Sequence, residues 1–219
     1  MKILAFDVSG GYSSISLLND EEVNTVTQTH DLKDRPDWDK LFESIGFDSN
    51  DGFDALDGIA FARGPGSYTA LRITASFLKA IAEVKKLPLI PISNLASIAK
   101  EASNWINENE AKILVTIKAD ANESYFCSYE KNNDEVHAIE DESVLQMDIL
   151  VKILEEKKCY FAGTGWPDKI QDNPNFLSQA IGSAEPIAII AKKNLETNKN
   201  FLPEDANPVY LKTPEYKKL

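Results

Sequence analysis

The sequence is poor in the residues that form disulfide frameworks and metal sites. Its 219 residues include two cysteines and two histidines. Cys127 and Cys159 form no C-x-x-C pair, and His30 and His137 form neither H-x-x-x-H nor H-E-x-x-H. These absences exclude a disulfide scaffold and the common zinc motifs, and no Ser-His-Asp or Cys-His set is recognisable from spacing. We expect both thiols to be reduced and partly buried.

Basic charge is also scarce. The chain carries 23 lysines and arginines against 35 aspartates and glutamates, a formal net charge of −12. Strong nucleic-acid binding normally needs a basic surface, so this balance argues against it. A basic protein partner would suit such a surface, but most of the carboxylates are expected to form the ordinary acidic surface of a soluble protein. No apolar run approaches the roughly 20 residues of a membrane span. Asp7 interrupts the apolar start and no small-x-small cleavage site follows, so we expect a first strand there and a cytoplasmic protein without membrane contact.

Hydrophobic periodicity predicts an α/β chain in which strands and helices alternate after an opening hairpin. The predicted strands cover 2–8, 13–18, 22–29, 56–62, 87–92, 112–118, 124–129 and 159–162. Predicted helices follow Pro36, run from the glycine-rich loop to about 86, begin near Ser93, and cover 145–157 and 186–195. This order suggests mixed sheets with helices packed on them. We expect two lobes, 1–100 with a partner-binding helix and a smaller one over 101–219 whose tail packs back on the surface.

The segment Gly64-Pro65-Gly66-Ser67 lies between a predicted strand and a predicted helix, where phosphate-binding loops occur. The Walker pattern G-x-x-x-x-G-K-[ST] is absent, and the dinucleotide pattern G-x-G-x-x-G has Thr69 in place of its third glycine. Pro65 also removes one backbone N–H donor. The loop is therefore predicted to be a tight turn from strand to helix, with Ser67 available as the N-cap.

The helix after this loop has more apolar surface than one packing contact requires. At about 100° per residue, its apolar residues divide into two faces. A bulky face that suits the surface of a sheet consists of Ile73, Phe77, Ile81 and Val84. A second face, alternating large and small residues, consists of Leu71, Ala75, Leu78 and Ala82. The alanines would let another helix approach closely, and either the chain's own helix after Ser93 or a second protein chain covers this face.

Asp7 ends the first strand in DVSGG, and with Ser9 it resembles the phosphate-contacting corner of the actin and sugar-kinase superfamily. The second phosphate loop of that superfamily corresponds to IKADANES, where Asp120 is present but no glycine follows. Gly163-Thr164-Gly165 corresponds to an adenosine-contacting loop or to an ordinary turn. One alternative function is therefore a phosphotransferase that uses Asp7 and Asp120. Another is a metal-dependent nuclease with Asp7, Asp57 and Asp120 as ligands.

Five segments together resemble the TsaB (YeaZ) family, the bacterial partner subunits in making N6-threonylcarbamoyladenosine in tRNA. They are ILAFDVS near the start, IAFARGPGSYTALRITASFLKAIA, LPLIPISNLASIA, KADANESYF, and PVYLK near the end. The segments occur in the family's order and span almost the whole chain. The sequence departs from the family's usual pattern at several positions, including Ala70, Asn122 and Lys212.

The resemblance implies a two-lobed actin-like ATPase fold, of the ribonuclease H-like type, whose nucleotide site is degenerate. It implies a non-catalytic scaffold that pairs with the catalytic paralogue TsaD, is joined by the ATPase TsaE, meets tRNA indirectly and forms a homodimer when alone. No cofactor is required, and a nucleotide at the partner interface is left open. In the family, the helix after the loop packs against its counterpart in the partner. We therefore expect a pairing surface made of Tyr68, Leu71, Arg72, Ala75, Leu78 and Ala82.

Overall fold

The computed structural model describes residues 1–29, 37–48, 50, 52–156, 158–198 and 200–212. Its strands are β1 (Lys2–Asp7), β2 (Tyr12–Asn19), β3 (Glu22–Thr29), β4 (Gly58–Ala62), β5 (Leu89–Ile92), β6 (Glu110–Lys118), β7 (Glu123–Asn132), β8 (Glu135–Ala138), β9 (Ser143–Gln146), β10 (Tyr160–Gly163) and β11 (Phe176–Leu177). Its α-helices are α1 (Trp38–Ser44), α2 (Tyr68–Lys85), α3 (Asn94–Ser103), α4 (Met147–Ile153) and α5 (Ala184–Thr197). No helix in the described part of the chain is long and apolar enough to cross a membrane.

Two mixed sheets organise these elements. The first has the strand order β3-β2-β1-β4-β5, in which β1 to β3 are antiparallel neighbours and β4 and β5 run parallel to β1. The second has the order β11-β10-β6-β7-β8, with β9 also paired to β7. Here β6 and β7 form an antiparallel hairpin, and β10 runs parallel to β6. The predicted two-lobed α/β fold with mixed sheets is confirmed.

Three short strands of the second lobe differ from the sequence prediction. β8, β9 and β11 lie in segments predicted as polar sequence, as loop or as helix. The predicted helix over 145–157 is wrong at its start, because Leu145 pairs with Ser124 on β7 and the helix begins only at Met147. Strands of two to four residues that complete the edge of a sheet carry too short a pattern to be recognised from periodicity.

The helix predicted to follow Pro36 begins at Trp38, and Pro36 itself lies outside the described residues. Asp37 is the N-cap of α1, and its side chain accepts a hydrogen bond from the backbone N of Lys40 (3.3 Å). Phe42 is buried in the first lobe's core. α1 therefore covers part of the same side of the first sheet as α2.

The predicted assignment of the two faces of α2 is wrong. The residues predicted to form the pairing surface, Leu71, Ala75, Leu78 and Ala82, are all buried in the isolated chain. Ala75, Leu78 and Ala82 share one apolar cluster with Phe6 and Phe61 of the first sheet. The sheet presents large rings at this point, so the small alanines let the helix approach it closely. Of the four bulky residues predicted to face the sheet, Ile73, Phe77 and Val84 are exposed instead, and only Ile81 packs against the core.

Two helices each pack on the sheet of the other half of the chain. α3, which begins in the first half and ends just past residue 100, packs on the second sheet, where Ile98 lies in one apolar cluster with Val115. α5, from the second half, packs on the first sheet, where Ile187 lies in one cluster with Ile3. The packing therefore exchanges a helix in each direction across residue 100. A division into 1–100 and 101–219 as separate domains stays a prediction.

The tail after α5 returns along the first lobe and then reaches the second. The backbone N of Val209 donates to the carbonyl oxygen of Arg63 at the end of β4 (2.8 Å). Three residues later, the ammonium of Lys212 pairs with the carboxylate of Asp120 in the second lobe. Residues 200–212 thus contact both lobes.

Candidate functional site

Asp7 lies at the end of β1, and its carboxylate is buried. Ser9 donates to Oδ1 of Asp7 from its backbone N (3.1 Å) and from its Oγ (2.6 Å), and the hydroxyl of Tyr12 donates to Oδ2 (2.8 Å). Burial raises the pKa of Asp7 above its ordinary value, although these hydrogen bonds act in the opposite direction. The chain's own groups therefore occupy both carboxylate oxygens. Asp7 and Ser9, predicted as one corner, are in contact, and Tyr12 is a third member that the sequence did not reveal.

The glycine-rich loop packs on the Ser9 turn rather than around an open space. The backbone N of Ser67 donates to the carbonyl oxygen of Ser9 (2.9 Å). Asn94, the first residue of α3, donates to Ser9 Oγ and accepts from the backbone N of Gly64 (2.8 Å). A Cβ on Gly66 would lie 2.9 Å from the carbonyl oxygen of Ser9, so this approach requires glycine. Ser67 is the N-cap of α2, as predicted, but its side chain makes no capping hydrogen bond.

Asp7 and Asp120 line two separate cavities. Asp7 lines one of about 260 Å³ together with Thr164, which the sequence suggested for an adenosine-contacting loop. Asp120 lines another of about 450 Å³. Pro65 and Gly66 line both, so the glycine-rich loop lies between them. The two cavities adjoin, but the chain's own groups bind both carboxylates, Ser9 and Tyr12 that of Asp7 and Lys212 that of Asp120, so the geometry gives the phosphotransferase alternative no support.

Asp120 organises the turn before β7. Its Oδ1 accepts from the backbone N of Asn122 (2.8 Å) and of Glu123 (3.0 Å), and Lys212 pairs with its Oδ2. The hydrogen bond from Lys212, followed by those from the two amides, lowers the pKa of Asp120. These contacts give the Asp120 carboxylate a structural role at the junction between the tail and the second lobe.

The three carboxylates of the nuclease alternative are not assembled. Asp57 accepts from the backbone N of Lys2 at the start of β1 (2.6 Å), whereas Asp7 lies at the opposite end of that strand. In the described residues no group of three or more His, Cys, Asp or Glu side chains is placed to hold a metal ion. The geometry thus offers no support for a metal-dependent nuclease site.

The side of α2 that faces away from the sheet carries an exposed apolar stripe. We call it the outer face of α2, and it consists of Ile73, Phe77, Ala80 and Val84, spaced one helical turn apart. Ile73, Phe77 and Val84 are 65%, 44% and 78% exposed. Trp38 of α1 extends the stripe, because its ring stacks on that of Phe77 with centroids 6.3 Å apart. Contiguous exposed apolar patches of this kind are typical of protein–protein contact sites.

Two aromatic rings and a guanidinium meet at the N-terminal end of α2. The ring of Tyr68 contacts that of Tyr210 in the tail, with centroids 4.6 Å apart. The guanidinium carbon of Arg72 lies 4.9 Å from the centre of the Tyr68 ring. Tyr68 is half-buried and Arg72 is exposed, so both predicted rim residues are accessible to a partner. Tyr210 was not predicted, and its only sequence signal was its place in the PVYLK segment.

The known proteins that this chain resembles in sequence all belong to tRNA threonylcarbamoyladenosine formation. Residues 38–171, more than half of the chain, match the family model described as TsaD: tRNA N6-adenosine threonylcarbamoyltransferase. The tRNA threonylcarbamoyladenosine biosynthesis protein TsaB of Escherichia coli K12 is 28% identical, over 97% of this chain and 95% of that protein. TsaB of Haemophilus influenzae is 31% identical, over 76% of this chain and 73% of that protein.

Among solved structures, YeaZ from Pseudomonas aeruginosa has the same fold. It superimposes with a TM-score of 0.77 at 24% identity, and the match covers 96% of this chain and 99% of that one. The fold similarity therefore extends over both lobes.

Proposed function

Because the chain belongs to the TsaB family of tRNA threonylcarbamoyladenosine biosynthesis proteins, we propose that it is a non-catalytic subunit of the complex that transfers threonylcarbamoyl to adenosine 37 of tRNA. Its partner in this cytoplasmic complex is the catalytic paralogue TsaD, which it docks on and supports, and the ATPase TsaE joins the pair. The chain meets tRNA only through the complex. When TsaD is absent, the same surface forms a homodimer.

The outer face of α2 is the observation that carries this proposal. Its large apolar side chains stay in water in the isolated chain, although the opposite face of the same helix is buried. A partner that covered them would gain roughly 1.5–3 kcal/mol for each large side chain removed from water, before the costs of association. The proposed pairing surface therefore keeps Tyr68 and Arg72 from the sequence prediction, and the outer face replaces its four apolar members.

We propose no cofactor for the chain on its own. Ser9 and Tyr12 hold the Asp7 carboxylate, and the amides of Gly64 and Ser67 donate to Asn94 and Ser9. A phosphate bound here would have to displace these contacts, of which the Ser9–Asp7 and Gly64–Asn94 hydrogen bonds are buried and costly to leave unpaired. A nucleotide would therefore bind only at the partner interface, where both chains would hold it.

Aspartate substitutions on the outer face test the pairing. Each of Ile73→Asp and Val84→Asp would bury a charge against an apolar partner surface, so each should weaken binding to the co-expressed TsaD homologue about tenfold or more. Both residues are well exposed in the isolated chain, and the variants should therefore keep their fold. Affinity is measured by isothermal titration, and the complex is sized by gel filtration.

Ile149→Asp is the matched control, because Ile149 is an apolar residue of α4 that is 40% exposed on the second lobe. It should bind TsaD as the unchanged protein does. Unchanged affinity in both Ile73→Asp and Val84→Asp would show that the outer face is not the pairing surface. Failure of the unchanged protein to bind TsaD at all would overturn the proposed function.

A further inference from the structure

A groove lies on the opposite side of the first sheet from α2, away from the proposed pairing surface. The end of α3 and the first turn of α5 enclose it, and its volume is about 350 Å³. Trp105 and Ile189 supply apolar surface to its lining, and Glu101 and Glu185 supply carboxylates. The groove therefore combines an aromatic ring with negative charge on an exposed part of the molecule.

Trp105 differs from the other two tryptophans of the chain. Trp166 is buried and donates from Nε1 to the carbonyl oxygen of Ala162 (2.8 Å), and Trp38 stacks on Phe77. Trp105 is 58% exposed, and its indole has no hydrogen-bond or ring partner among the described residues. A free indole in water offers a large apolar area and a face that attracts cations.

Glu101 is a half-buried carboxylate that backbone amides hold in place. Its Oε2 accepts from the backbone N of Gly182 (2.7 Å). Burial raises the pKa of Glu101, and the nearby charges of Glu185 and Asp7 act in the same direction. No salt bridge is formed by Glu101 or Glu185 within the part of the chain that the structure describes. Lys100 also lines the groove, but its ammonium donates to the carbonyl oxygen of Asp134 (2.6 Å).

From this combination we propose that the groove binds an arginine side chain of a protein partner. A guanidinium is planar, so it can stack on the Trp105 indole while its N–H groups donate to the carboxylates of Glu101 and Glu185. A lysine ammonium would meet the charge but could not stack in the same way. Ile189, which also lines the groove, offers an apolar contact to the residues that flank the arginine. The acidic chain, with its net charge of −12, attracts such a basic segment over distance.

Titration with a short peptide tests this proposal on the full chain. The probe is acetyl-Leu-Arg-Leu-amide, and the readout is the nuclear magnetic resonance of the three tryptophan indole N–H groups. The Trp105 resonance should shift saturably, whereas those of Trp38 and Trp166 should not move. The same peptide with citrulline in place of arginine, a neutral group of the same shape, should bind at least about tenfold more weakly. Glu101→Gln should weaken binding of the arginine peptide to a similar degree. The glutamine side-chain oxygen can still accept the hydrogen bond from Gly182, so this variant removes the charge and keeps the contact.

Three outcomes would overturn the proposal. The first is no saturable shift of the Trp105 resonance up to about 10 mM peptide. The second is equal binding of the citrulline peptide, or unchanged affinity in both Glu101→Gln and Glu185→Gln. The third is equal binding of acetyl-arginine-amide, which would make the groove a site for small guanidinium compounds. Ile73→Asp and Val84→Asp should leave the titration unchanged, so its result is separate from that of the pairing experiment.

Discussion

At the residue scale, Asp7 is a buried carboxyl group that affects stability in a way that depends on pH. Burial raises its pKa above the ordinary value of 3.8, and no cation pairs with it among the described residues. Between the two pKa values the folded protein therefore binds more protons than the unfolded chain. The contribution of Asp7 to stability is complete below pH 3.8 and is lost as the pH rises through the folded pKa.

Asp7→Asn removes this titration. Relative to the unchanged protein, the variant should become more stable to unfolding as the pH rises from about 4.5 to about 8, because only the unchanged protein must ionise a buried group. Urea unfolding of both proteins across this range measures the difference. A difference that stays constant, or that changes in the opposite direction, would contradict the raised pKa.

Asp120→Asn provides a control of opposite sign. Lys212 lowers the pKa of Asp120, so this carboxylate stabilises the fold above its ordinary pKa and stops doing so as the pH falls. The loss of unfolding free energy that Asp120→Asn causes should therefore shrink at acid pH. The loss that Asp7→Asn causes should instead be largest there.

The residues around Asp7 also show where sequence reasoning ends. Asp7 and Ser9 were predictable as neighbours because they are two residues apart at the end of a strand. Tyr12 reaches the carboxylate only through the register of the β1–β2 hairpin, in which Asp7 pairs with Ser14. Asn94 reaches Ser9 from another part of the chain, and such contacts depend on the tertiary packing of α3. No local pattern in one sequence carries that information.

At the scale of the element, α2 shows what periodicity can determine. The predicted end of the helix at about residue 86 agrees closely with its observed end at Lys85, and of the residues placed on the two apolar faces only Ile81 lies on the wrong one. Which face meets the sheet could not be read from the helix alone, because both faces are apolar. The answer depends on Phe6 and Phe61, which make the small residues of α2 the better fit. A charge at Ala75 or Leu78 is thus expected to disrupt the first lobe and not only its pairing.

A pair of alanine substitutions tests this assignment of the faces. Leu78→Ala should lower the free energy of unfolding by about 2–5 kcal/mol, because it removes a fully buried side chain and leaves a cavity. Val84→Ala should change it by less than about 0.5 kcal/mol, because Val84 is in water. Urea unfolding at a concentration where the protein is monomeric measures both. Similar losses in the two variants would show that the faces have been assigned the wrong way round.

At the scale of the whole molecule, the exchange of α3 and α5 makes each half of the chain dependent on the other. The first sheet has helices on both faces, and the helix on one of them, α5, comes from the second half. Without α5, that face would expose a set of apolar side chains that includes Ile3, Leu18, Ala60 and Ile90. The second sheet would likewise lose the apolar contacts of α3. A cut at residue 100 therefore opens both cores.

Expression of the two halves tests this dependence. The fragments 1–100 and 101–219 should each fail to fold cooperatively, because the first lacks α5 and the second lacks all but the last three residues of α3 (Asn94–Ser103). Circular dichroism during thermal unfolding should show a single sharp transition for the full chain. Each fragment alone should show a broad transition or none.

A rearranged chain separates this explanation from a general effect of truncation. Joining residues 1–92 to residues 183–212 through a flexible glycine–serine linker returns α5 and the tail to the first sheet and omits α3, which has no second sheet to cover. This protein is smaller than the full chain but has both faces of the first sheet covered, so it should unfold cooperatively where the fragment 1–100 does not. If the fragment 1–100 folds as well as the rearranged chain, α5 is dispensable for the first lobe. The predicted boundary at residue 100 would then mark two independent domains.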